Sequence, residues 1–116
     1  MGNKGSSHND HELLKSVNDI PEFVSRALHE EGFEHWPLVL ELAEFLLALD
    51  SKDLTAHLFL ARAQRHLGNE DGARITLKRF VDLISSGPVS AVEVEGLRPV
   101  AHRENALLGW PIDDNW

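Results

Sequence analysis

The chain has no cysteine, no tyrosine and a single methionine in 116 residues. The missing thiol excludes disulfide frameworks, thiolate ligands and cysteine nucleophiles, and it fits a reducing cytoplasm, the expected location. No apolar run approaches the roughly 18 residues that a membrane span needs, so FLLAL at 45–49 reads as a buried helix face. The opening MGNKGSSHND has no apolar h-region, and no secretory signal is expected. Met1-Gly2 with Ser6 matches a short myristoylation pattern, read here as part of a flexible tail. Basic residues are scarce: 11 Lys and Arg face 19 Asp and Glu, a net charge of −8 that repels phosphate backbones and argues against nucleic acid. GxSxG, GxxxxGK[ST] and GxGxxG are all missing, so no catalytic residue is assigned, no enzyme is expected and no cofactor is implied.

What is present is helical patterning with an uneven charge. Residues 1–53 carry a net −7, residues 54–84 a net +2 and residues 85–116 a net −3. The basic island consists of Arg62, Arg65, Arg74, Lys78 and Arg79. Residues 1–8 are polar and small, and are expected to be disordered; 9–116 reads as one helical domain. Asn9 or Asp10 can cap a first helix with the stripe Leu13, Leu14 and Val17. Asp19-Ile20-Pro21-Glu22 then looks like a new helix start, with Asp19 as cap, Phe23, Val24, Ala27 and Leu28 as stripe and Gly32 as stop. His35-Trp36-Pro37 opens another, with Leu38, Leu42, Ala43, Phe45, Leu46 and Leu49 at helical spacing. In the tail, Ser90 and Glu93 have capping-box spacing. They predict a helix over 89–97, broken near Gly96 and Pro99, with a further turn at 103–108 and an extended end.

Residues 54–87 read as two helices folded around a turn. Gly68 ends the first, Asn69 or Asp71 caps the second, and Ala61 and Ala73 permit close approach of the axes. Leu60, Ala63 and Leu67 are expected to face Ile75, Leu77, Phe80 and Val81. This hairpin, preceded by ALDSKD at 48–53, resembles a tetratricopeptide repeat, and 20–53 resembles a degenerate second one. His57 and Gln64 depart from the family's large residues, and Gly72 weakens the first turn of the second helix. The resemblance implies an all-α fold: antiparallel hairpins stacked as a short array, with residues 88–116 as a C-terminal cap. It implies a non-catalytic module that binds a peptide or partner protein. One and a half repeats cannot cover their own faces, so a homo-oligomer is expected.

The resemblance further implies that Thr55, Leu58, Arg62, Arg65 and His66 line a concave groove, with Arg62 and Arg65 offering guanidinium forks to an acidic partner. The reversal of charge between 54–84 and 85–116 points to one candidate, the chain's own tail, docked in its own groove or in that of a second copy. Trp110 and Trp116 would anchor the tail while Asp113 and Asp114 meet the basic face. Residues 36–68, followed by ARITLKRFVDL, are also similar to the helical dimerisation segment of alkylsulfatases. That similarity implies, as the alternative, a structural homodimerisation module or a helical subunit of a metallo-hydrolase-type enzyme. No metal site is assigned to the seven histidines: His29-Glu30 fails as HExxH because Phe33 stands at the second His position.

Overall fold

The computed structural model describes residues 17–30, 32–109, 111–113 and 116. Among them the chain is all-helical: a 3₁₀ turn at Val17–Asp19 leads into α1 (Ile20–His29), α2 (Trp36–Leu49), α3 (Leu54–His66), α4 (Glu70–Ser86) and α5 (Ala91–Leu107). The expected tail at 1–8 and the Leu13 and Leu14 stripe lie outside the described residues.

Local chemistry sets most boundaries. Asp53 Oδ1 accepts from the Ala56 amide at 3.0 Å, Asn69 Oδ1 from Gly72 at 3.0 Å and Ser90 Oγ from Glu93 at 3.2 Å, so α3, α4 and α5 each begin on a side-chain cap. Gly72 follows from the second of these. A Cβ there would run into the Asn69 amide, so the helix gives up propensity to keep its cap. Gly68 closes α3 at φ +90°, a conformation that a side chain would strain. Asp19 departs from its expected role: its backbone is helical within the 3₁₀ turn, and its side chain makes no capping hydrogen bond to α1.

α3 is the central helix, packed most extensively against α4 and α2 and touching α5 and α1. Phe23, Phe59, Phe80, Leu58 and Leu77 are the largest fully buried apolar side chains of the core. Ala61 and Ala73 are fully buried, as the close helix approach requires. Ala63, Leu77, Phe80 and Val81 are buried as the hairpin reading expects, and two of its residues are not. Thr76 faces inward and donates to Gln64 Oε1 at 2.7 Å, while Ile75 and Leu67 turn to solvent. On α2 the buried face is Trp36, Val39, Leu42 and Ala43, leaving Phe45 57% and Leu49 71% exposed. His57 is buried, and its Nδ1 lies 3.0 Å from the Asp53 carbonyl; a carbonyl only accepts, so the proton sits on Nδ1.

The largest correction concerns the tail. The expected break near Gly96 and Pro99 is absent, and α5 runs through both residues for 17 residues. Val94, Leu97, Val100, Ala101, Glu104 and Asn105 are buried at helical spacing, whereas Gly96 and Pro99 face solvent. The carbonyl left without a donor by proline is therefore on the water side, and burial of the opposite face outweighs the local penalty.

Candidate functional site

Arg62, Arg65 and His66 stand at i, i+3 and i+4 on the last turns of α3, and so share one face. α5 meets that face with Glu104. Its carboxylate is fully buried, and accepts from Arg62 Nη1 and Arg65 Nε at 2.6 Å each and from Arg65 Nη2 at 3.1 Å. Arg62 is fixed twice more. Its Nε donates to the Ala27 carbonyl at 3.0 Å, in the last turn of α1 where carbonyls run out of helical donors, and its guanidinium lies 5.5 Å from the centre of the Trp36 ring. Trp36 in turn stacks on His66 at 4.0 Å and meets the edge of Phe33 at 5.0 Å.

These side chains bound a cavity of about 440 Å³ between the end of α1, the start of α2, α3 and α5. Leu28 and Leu107 form apolar walls, and Arg103 adds a third guanidinium that makes no ion pair with any described residue. A second hollow of about 230 Å³ shares Leu28, His29, Arg62 and Arg103 and continues past Gly96 and Pro99, extending the first into a groove between α1 and α5. Glu30, on the rim, is held by Arg26 at 2.6 Å, a pairing that keeps its carboxyl below the usual range. Three arginines against Glu104 leave a local charge of two positive on a chain of net −8.

Burial lowers the Arg62 pKa; Glu104 opposes this, and Arg65 and Arg103 add to it. The group nonetheless stays a cation at ordinary pH. His66 is also held below its usual 6.5, first by burial and then by Arg65 and Arg62, with Glu104 opposing. Geometry agrees: Arg65 Nη2 sits 3.2 Å from His66 Nε2, and an arginine can only donate, so that nitrogen is unprotonated. The folded state therefore binds this proton less readily than the unfolded chain. The contribution is intact above about pH 6.5 and is lost as the pH falls through the lowered folded value. Urea midpoints should decline from about pH 7 to 5, and His66→Asn should make that decline shallower; parallel profiles would contradict the assignment.

The other expected site residues are spread out. Leu58 is fully buried in the core and Thr55 half-buried, so Leu58 offers no surface to a partner. Trp110 and Asp114 lie outside the described residues, and Asp113 is exposed. Of the described tail residues, Ile112 and Trp116 lie against α4 and α5. Trp116 stacks on His102 at 4.3 Å, meets the edge of Phe80 at 6.3 Å and accepts from Arg98 through its carbonyl. Asn105 holds Ile112 by both backbone groups, at 2.8 and 3.3 Å. The acid that meets Arg62 and Arg65 is thus Glu104. Among the described residues no three His, Asp or Glu side chains converge as a metal site would require. Comparison of the chain with protein-family models, curated proteins and solved structures returned no match.

Proposed function

We propose that this chain is a non-catalytic binding module that holds an acidic segment of a partner protein in the groove between α1 and α5. The observation that carries the reading is the cation-rich, aromatic-walled cavity on an otherwise acidic molecule. Glu104 orients Arg62 and Arg65 before any ligand arrives, so little side-chain entropy is lost on binding. α1, α3 and α5 line the groove together with the start of α2; the share of α1, α3 and α5, the first helices of successive hairpins in a tetratricopeptide-like array, supports that finer reading of the fold.

The test titrates the full chain with a capped, degenerate peptide library bearing one central acidic residue, followed by Trp fluorescence and calorimetry. Arg103→Glu should weaken binding by about tenfold or more, since it reverses a charge at the cavity, with helix content by circular dichroism confirming that the variant is folded. Equal affinity of the variant, or no binding by the parent chain, would overturn the proposal.

A second reading, a homodimerisation module, is favoured by the exposed Phe45 and Leu49, one turn apart on α2. Light scattering over a dilution series decides it: a dimer that Phe45→Glu dissociates supports it, and a monomer throughout rejects it.

A further inference from the structure

We infer that the acid recognised in this groove is a phosphoryl dianion borne on a side chain of the partner segment, gripped by Arg103 together with the free edges of Arg62 and Arg65. The inference rests on the reading of the groove as an acidic-segment site and names the chemistry of the acid.

Donor count favours a phosphoryl group. A guanidinium has five N–H groups. Arg62 gives Nε to Ala27 and Nη1 to Glu104; Arg65 gives Nε and Nη2 to Glu104. Arg62 Nη2 and Arg65 Nη1 meet no acceptor among the described residues, and neither is sealed from solvent, since the only fully enclosed polar side-chain atoms left without a partner there belong to His102 and Trp116. Both arginines line the cavity, as does Arg103. Three cationic donor groups therefore remain for one ligand. A carboxylate has two oxygens and one charge, and would leave one guanidinium and one positive charge unanswered. A phosphoryl group has three terminal oxygens and a charge near −2 at neutral pH, which matches both counts.

The field of the rest of the molecule favours it too. A run of Asp and Glu long enough to supply two charges would extend beyond the cavity, over a chain of net −8. The rim includes Glu30, and Glu34 lies exposed on the loop that follows α1. Repulsion among exposed charges acts over roughly 10 Å at moderate salt, so an extended acidic segment meets it along its length. A phosphoryl group concentrates the same charge at one point, inside a cavity lined by three arginines. The Leu28 and Leu107 walls then receive the apolar neighbours of the modified residue.

The experiment uses the full chain and four probes: a capped degenerate library with central phosphoserine, its serine and glutamate counterparts, and inorganic phosphate. Binding of the phosphoserine library about tenfold or more tighter than the glutamate one, as the extra charge-assisted bond requires, supports the inference. Loss of that preference in Arg103→Glu supports it further. Equal binding of phosphoserine and glutamate libraries overturns the phosphoryl assignment and leaves the acidic-segment reading standing. Inorganic phosphate binding as tightly as the phosphoserine library overturns the peptide-borne source, and no binding by any probe overturns both readings. The comparison on the unmodified chain decides the matter even if Arg103→Glu fails to fold.

Discussion

Glu104→Ala is expected to lower the folding free energy by about 3 kcal/mol, because it strands two largely buried guanidinium groups without the carboxylate they share. The side chains of Arg62 and Arg65 are only 10% and 18% exposed, so water compensates little. The residual exposure places the cost toward the lower end of the range for broken buried pairs, about 3–5 kcal/mol. For a domain of this size that is a substantial share of a total near 5–15 kcal/mol. Glu104→Gln keeps the shape and one acceptor but not the charge, and should fall between parent and alanine variant. Urea unfolding checks both, read as midpoints at constant slope so that the denatured state is not at issue. A shift under about 1 kcal/mol for Glu104→Ala would place the clamp among surface pairs in energy, despite its geometry.

The basic half of this clamp was legible in the sequence and the acidic half was not, for a reason that lies in α5. Arg62, Arg65 and His66 are legible because the tetratricopeptide resemblance places one face of α3 in a groove, and the three share a face at i, i+3 and i+4. Glu104 would have stood out equally, as an acid at i+3 from Ala101 on the buried stripe that begins at Val94 and Leu97. Local propensity breaks that stripe at Gly96 and Pro99, and a periodicity split in two no longer shows an acid on its inner face. Tertiary burial overrides propensity here, which no local window contains. The same limit explains Ile75 and Thr76. Hydropathy favours the isoleucine for the core, but Gln64 across the hairpin supplies an acceptor that makes the threonine the better inward residue. The helix starts at Asn69 and Ser90 were readable because each depends on chemistry within three residues. Trp36 was read only as a helix start. Its place in the cavity wall depends on His66 and Arg62, some 30 and 26 positions away.

Arg62→Met combined with Glu104→Leu should recover much of the stability that Glu104→Ala loses, yet stop short of the parent chain by about 1–2 kcal/mol. Removing both buried charges removes the stranding penalty, and two apolar side chains of similar volume refill the space. Arg65, the more exposed of the two cations, can then turn to solvent. What the pair of substitutions cannot replace is the bond from Arg62 Nε to the Ala27 carbonyl. That bond satisfies the frayed end of α1 and ties α1 to α3, and α1 has few other attachments to the helices it overlies. The deficit should therefore be local. Hydrogen exchange in the double variant should quicken over α1 while α3 and α4 keep their protection. Uniform loss of protection, or a double variant no more stable than Glu104→Ala, would show that Arg62 holds the fold through its charge alone. A fully restored chain would show that the Ala27 bond adds nothing. The expected intermediate result makes Arg62 at once the cap of α1 and a wall of the groove, which ties the position of α1, and so the width of the cavity, to the same side chain that meets the ligand.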